Sequence, residues 1–384
     1  MIEKIHIQNF KSIYDLELEV GRVNLFIGEN GSGKSNILEA LVFIKATERG
    51  KLDNEFLNSR GIRVTEPQLM RSAFNKIDKN KDIEMMISYK NGIQDHYKFY
   101  NKDNNYSSWD GIQVILDNSE NEVVQLVNKG LSCVSEDEKK VYFEQLNGDD
   151  LENIALFLTK RRKDKSMDFL IYSPENTALR IFEKEGQIQP LGINGEGLLK
   201  LLKVINNYED KSYINTIIES LQLFNWFENI IIPTDISSQE DKVIIQDKYL
   251  YREFTQRSAN EGFLFILFYI TLLVAKETPK AFAIDNIDAS LNPKLCTKLM
   301  TILTDLAKKY DKQIFLTTHN PAILDGINLN DEEQKLFVVS RNKKGHTRMK
   351  EITAEDKPKS STNEPLKLSE AFLRGYLGGL PKGF

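Results

Sequence analysis

The chain has 384 residues, of which 41% are hydrophobic and 28% charged. That balance belongs to a folded globular protein rather than a disordered one, and the length suits a large α/β domain with an insertion. A net charge of −5 gives no whole-chain signal for nucleic acid, and basic runs such as Lys160-Arg161-Arg162-Lys163 read as solvated faces. The two cysteines, Cys133 and Cys296, stand in no metal-binding spacing. This excludes a disulfide framework or zinc site and fits a reducing compartment. The longest apolar stretch, 262–275, is too short to span a bilayer, and residues 1–7 alternate like a strand instead of forming a signal-peptide core. A cytoplasmic protein without a membrane partner is expected.

Taken in order, the chain opens with strand patterns at 5–7, 16–20 and 23–27. The third runs into Gly28-Glu29-Asn30-Gly31-Ser32-Gly33-Lys34-Ser35 and then a helix over 35–46. Strand, glycine-rich turn, Lys-Ser and helix in this order make the phosphate-binding P-loop pattern. Glycines let backbone N–H groups turn inward, and the helix N-terminus adds its positive end. The expected nucleotide contacts are Asn30, Gly31, Ser32, Gly33, Lys34, Ser35 and Asn36, with Lys34 on the β/γ-phosphates and the Ser35 hydroxyl on Mg²⁺.

A hairpin is predicted next, 83–89 and 93–100 about Asn91-Gly92. Residues 101–165 are less informative: strands at 114–116 and 123–127, helices over 136–146 and 151–163, and no sustained heptad for a coiled-coil arm. A strand at 168–172 enters a loop, and a second glycine-rich loop spans 190–197. Helices are expected over 196–207 and 210–228, then strands at 230–233 and 242–247. The last third predicts an apolar helix over 261–275, a buried strand 280–285 ending in Asp285, a helix over 294–309, a strand 313–319 ending in His319, and a strand 336–339. A polar linker, 357–365, leads to a short helix.

An acid closing a buried strand, as Asp285 does, is suited to hold Mg²⁺ opposite the P-loop. The run Asp285-Asn286-Ile287-Asp288-Ala289-Ser290-Leu291-Asn292 resembles the Walker B and D-loop of SMC and ABC-type ATPases, D-E-x-D-A-A-L-D. His319 resembles their switch histidine, and Asn260-Glu261-Gly262 at a helix start resembles their signature motif. The opening Ile7-Gln8-Asn9-Phe10-Lys11-Ser12-Ile13 resembles the I-x-N-F-K-S start of the RecF, SMC and OLD-type group. The stretch 368–381 resembles the tail of small stand-alone prokaryotic AAA family ATPases often found in phage-defence systems.

The resemblance implies an α/β fold, an ABC-type P-loop ATPase head with a doubly wound mixed sheet and an antiparallel flank. The head comprises 1–104 and 250–350, an inserted mostly helical lobe 105–249, and a tail 351–384. It implies ATP and Mg²⁺ as ligands, Asp285, Asn286, Asp288 and His319 as catalytic residues, and Asn260, Gly262 and Asn292 as further nucleotide contacts. It also implies a homodimer with two ATP molecules sandwiched between heads, working as an ATP-gated clamp or switch. DNA is the expected target, in anti-phage defence or repair, with a separate nuclease or toxin as effector. A protein-assembly scaffold is the alternative; an OLD-like nuclease is disfavoured because too little chain follows 339 for a TOPRIM domain. Two positions depart from the pattern. Asn286 replaces the glutamate that polarises water, which predicts slow hydrolysis or recruitment of Asp288 as base. Asn260 stands for the signature serine, with Ser258 as the other candidate. The expected glutamine loop falls at 172–176 without a glutamine; Gln68 and Gln94 are weaker candidates. Arg60, Arg63 and Arg180 are candidate phosphate contacts but read rather as exposed or structural arginines.

Overall fold

The computed structural model describes residues 1–74, 81–101, 109–116, 122–127, 168–181, 188–233, 242–359 and 365–380. In chain order the elements begin with β1 (Ile2–Phe10), β2 (Ile13–Glu19), β3 (Val23–Ile27) and α1 (Lys34–Glu48). Two short helices follow, α2 (Asn54–Ser59) and α3 (Pro67–Met70), then β4 (Ile83–Tyr89), β5 (Gln94–Tyr100), β6 (Asp110–Leu116), β7 (Glu122–Val127) and β8 (Ile171–Tyr172). Next come α4 (Leu198–Asn206), α5 (Ser212–Leu221), β9 (Phe227–Ile231), β10 (Ile244–Asp247) and β11 (Phe254–Thr255). The last part holds α6 (Glu261–Val274), β12 (Ala281–Ile284), α7 (Pro293–Lys309), β13 (Gln313–Thr318), a 3₁₀ turn (Pro321–Gly326), β14 (Gln334–Arg341), β15 (Thr347–Ile352) and α8 (Leu368–Leu373).

The expected head is present. One sheet has the order β2-β1-β4-β5-β6-β7 with every neighbour antiparallel, which is the flank. A second runs β15-β14-β3-β13-β12-β8, all parallel except β15 on β14. Successive side chains on a strand point to opposite faces, so these buried strands feed two cores. Phe26, Ala283, Phe315 and Phe337 pack toward α1 and the antiparallel sheet. Leu25, Ile284, Leu316 and Val338 pack toward α4, α5, α6 and α7. Helix α1 lies inside the first core and is buried from Ile37 to Glu48. Helix α6 is buried on all sides from Phe263 to Val274, which accounts for its apolar run. Among the described residues no helix is long and apolar enough to cross a membrane.

Several expectations meet a different local structure. The strands expected at 114–116 and 123–127 form as β6 and β7, but they extend the hairpin sheet past residue 104. Between 105 and 249 the described residues hold strands as well as helices, and α4 and α5 share the core of α6. The helix expected over 210–228 stops at Leu221, because β9 begins at Phe227 and pairs with β10 as a small third sheet, β11-β10-β9. Strand β15 is added to β14 by a turn at Asn342–His346, whose polar character hid the hairpin. The helices expected over 136–146 and 151–163 lie outside the described residues.

Candidate nucleotide-binding site

Parallel strands deliver their C-terminal ends to one edge, where loops from separate strands meet. Here β3 ends in the P-loop, β12 in Asp285, β13 in His319 and β8 in the 173–176 loop. Two glycines of the loop, Gly28 and Gly33, are required by contact. A Cβ on Gly28 would sit 2.0 Å from Val339 O, and one on Gly33 (φ 109) 2.2 Å from Thr347 Oγ1 and 2.8 Å from Ser12 Oγ. Those two hydroxyls bond each other at 2.7 Å, Thr347 Oγ1 donates to Ser32 O at 3.0 Å, and Arg341 Nε donates to Gly31 O at 2.7 Å. The loop is therefore braced from β15, β14 and the β1–β2 turn.

The almost fully buried Lys34 ammonium donates to Gly28 O at 2.9 Å and Glu29 O at 3.1 Å. Burial lowers its pKa to about 8, against the pull of Asp285, Asp288 and Glu29. Ser35 Oγ lies 3.2 and 3.4 Å from the two oxygens of Asp285. Thr317 Oγ1 donates to the same carboxylate and accepts the Asn286 N–H at 2.9 Å. Asn286 is exposed and left-handed (φ 55), a conformation that asparagine tolerates better than most residues. Asp288 Oδ1 accepts from Thr318 Oγ1 at 2.7 Å and from the His319 N–H at 3.2 Å, so the D-loop is pinned to the end of β13. His319 sits at the exposed rim. Partial loss of solvent and the Lys34 charge lower its pKa, while Asp288 and Asp285 oppose the shift.

The other expected site residues have different neighbours. Asn260 caps α6: its Oδ1 accepts the Phe263 N–H at 2.8 Å. That leaves exposed Ser258 as the hydroxyl on this loop. Gly262 allows α6 to approach the D-loop, since a Cβ there would lie 3.1 Å from Ser290 O, and Ser290 Oγ donates to Glu261 at 2.6 Å. Asn292 caps α7 through the Leu295 N–H at 3.0 Å. Asn36 donates to Ser12 Oγ at 2.7 Å, and its Oδ1 accepts from Arg63 at 3.3 Å. Asn30 and Ser32 occupy the loop itself.

Two groups of neighbours contain residues that the sequence named without their partners. Arg180 donates to the carbonyls of Gln256 (2.9 Å), Arg257 (2.7 Å) and Ala259 (2.8 Å) and to Asn176 Oδ1 (2.9 Å). It thereby joins the 173–176 loop to the start of α6. Lys11 and Arg63 both bind the buried Glu39 of α1, and Lys11 also donates to Arg63 O at 2.9 Å. Lys11, Ser12, Asn36, Arg63, Phe74 and Arg341 border a cleft of about 450 Å³ beside the P-loop. Arg60 is used elsewhere, its guanidinium 3.4 Å over the Phe56 ring.

A Mg²⁺–nucleoside triphosphate fits this donor set. The loop backbone has no room for Cβ atoms at Gly28 and Gly33, Ser32 Oγ is buried without a partner, and Lys34 brings a buried cation. Lys34 and the loop N–H groups would hold the phosphates, and Ser35 and Asp285 the metal, which supplies charge neutralisation.

The sheet order, the P-loop and the Asp285–His319 edge together define a P-loop ATPase head of the ABC type, similar to RecF and SMC. The family described as "AAA domain, putative AbiEii toxin, Type IV TA system" matches residues 23–325, and the chain belongs to it. An uncharacterized protein of Methanocaldococcus jannaschii, MJECL10, is 35% identical over 114 residues, covering 28% of this chain and 49% of that protein. The chromosome partition protein Smc of the same organism is 24% identical over 258 residues, 58% of this chain and 21% of Smc. The DNA replication and repair protein RecF of Lactococcus lactis is 30% identical over 95 residues, 24% of this chain and 25% of RecF. The matches thus span half or less of the length of these relatives. Among solved structures, an Smc head bound to the C-winged helix domain of ScpA superposes with a TM-score of 0.53 at 14% identity, covering 92% of this chain and 98% of that one. This last likeness is one of fold.

Proposed function

We propose that the chain is an ATP-gated switch. Two heads close over two Mg²⁺–ATP molecules, and the closed dimer acts on DNA and governs a separate effector, a nuclease or toxin, in phage defence or repair. The reading rests above all on one continuous run: Asp285 at the phosphate edge, Asp288 on the end of β13, and Ser290 on Glu261 at the start of α6. Through it, a shift of the phosphate edge is carried to the Ser258–Gly262 loop, which the ABC-type arrangement presents to a second copy. Arg180 braces that loop from the other side. The cleft edged by Arg63, Phe74 and Arg341 suits a purine and ribose, with guanidinium groups available to stack on the base.

Hydrolysis is slow in this reading. Asn286 orients a water but takes no proton from it, and Asp288 already holds the β13 end with one oxygen. A neutral His319 beside Lys34 is poised to hydrogen-bond near the γ-phosphate. The ATP-bound dimer then outlives its formation, as a switch requires.

The test is sedimentation of the chain with Mg²⁺–ATP. A dimer is expected with ATP, none with ADP, and none for Asp285→Ala. A chain that stays monomeric at saturating ATP would sink the clamp. Salt-sensitive retention of duplex DNA only with ATP supports the DNA target; an ATP dimer without retention moves the target to a protein.

A further inference from the structure

Residues 365–380 meet the turn that follows His319 at one point and approach the P-loop at another. At the start of α8, Ser369 donates its hydroxyl to Asp325 Oδ2 at 2.7 Å and its N–H to Asp325 Oδ1 at 3.0 Å. Asp325 belongs to the 3₁₀ turn that follows His319 through Asn320. Phe372 and Leu377 then bury in the core that also holds Leu25 and Val338. After them Gly378 and Gly379 both adopt left-handed backbone, φ 79 and 78. Their surroundings differ. A Cβ on Gly379 would lie 2.5 Å from Val338 Cγ1, 3.4 Å from Phe372 and 3.7 Å from Gly28 Cα, whereas one on Gly378 would meet nothing within 4 Å. Gly28 is pressed from another side by Val339 O. The first glycine of the P-loop thus lies between β14 and the turn that carries Gly379.

We infer that the 368–380 segment is a positioning element of the nucleotide site: Gly379 seats the P-loop through Gly28 and Val338, and Ser369 ties that seat to the turn after His319. The inference rests on the nucleotide-binding reading above and extends it. Docking of the segment and binding of ATP then strengthen each other by the same factor, because coupling between two sites is reciprocal. No side chain of the segment needs to touch the nucleotide, since the P-loop binds phosphate with its backbone.

Gly379→Ala and Gly378→Ala carry the same left-handed strain, but only the first adds a clash, against Val338, whose strand lines the P-loop, and brings a methyl group against Gly28. Gly379→Ala is expected to raise the KM and Kd for Mg²⁺–ATP about tenfold, a common size for such coupling, with kcat within twofold. Gly378→Ala should leave all three within twofold. Equal effects in both variants, or none in Gly379→Ala, overturn the inference. Should Gly379→Ala fail to fold, hydrogen exchange on the unaltered chain decides. The Tyr376 and Gly378 amides, bonded to Ala371 O and Gly375 O, should exchange about tenfold more slowly with Mg²⁺–ATP; unchanged exchange overturns the inference. If the unaltered chain binds no ATP, the nucleotide-binding reading itself falls and this inference with it. ATP binding by the unaltered chain separates the two failures.

Discussion

If Lys34 is the phosphate ligand proposed above, ATP binding is a proton-linked event. In the free chain its pKa is lowered to about 8 because burial penalises the ammonium more than nearby carboxylates favour it. An unfolded chain holds the same group near its ordinary value of about 10.4. Between those two values the unfolded chain binds more protons, so the contribution of Lys34 to stability rises with pH over roughly 8 to 10.4. Binding has the opposite slope. Triphosphate beside the ammonium favours the charged form, so the bound pKa is higher and ATP must find, or recruit, the proton. Each pH unit above 8 then costs about tenfold in affinity, about 1.4 kcal/mol, until the bound-state pKa is reached. At pH 9 close to one proton should be taken up per ATP. Calorimetry at pH 9 in two buffers of different ionisation enthalpy measures this uptake directly. Lys34→Met should bind weakly and without uptake, which separates the lysine from Lys312, whose pKa is also lowered to about 8 but which sits among Thr278 and Pro279 carbonyls. A Kd that is flat from pH 7.5 to 9.5, with no buffer dependence of the heat, would refute the assignment of a buried ammonium as the phosphate ligand.

Four further substitutions test the site. Asn286→Glu should speed steady-state phosphate release by at least tenfold, general-base catalysis being worth about 10²–10⁴, less about 1 kcal/mol for a non-Asn residue at φ 55; no gain would place the base elsewhere. Arg180→Met removes donors from three carbonyls at the start of α6, and urea denaturation should show a loss of roughly 1–3 kcal/mol. ATP-driven dimerisation should weaken in parallel. Asn260→Ala should cost about 1 kcal/mol of stability as a lost helix cap, whereas Ser258→Ala should leave stability unchanged and weaken the ATP dimer seen by sedimentation.

What the sequence determined by itself was local. The P-loop is a run of consecutive residues whose glycines and Lys-Ser pair state their chemistry at fixed spacing. The buried strands β3, β12 and β13 announce themselves as short apolar runs, and their order with α1, α6 and α7 was enough to define the head. The Asn91-Gly92 hairpin was legible for the same reason, a turn residue with φ 84 at its required place. Tertiary structure decided everything that depends on which acceptor lies nearby. Ser35 meets Asp285 across 250 residues because β3 and β12 flank β13 in a parallel sheet. Asn260 has the composition of a signature residue, yet a free N–H at the start of α6 takes its oxygen. Arg180 could be read as structural from the sequence, but not the three carbonyls that converge on it. Gly379 stood in a stretch read only for its resemblance to a family tail, and a Cβ there would lie 2.5 Å from Val338 Cγ1. Periodicity and turn chemistry act over a few residues and can be read along the chain. Hydrogen-bond partners and close backbone approaches are set by packing between distant segments, which only the folded chain specifies.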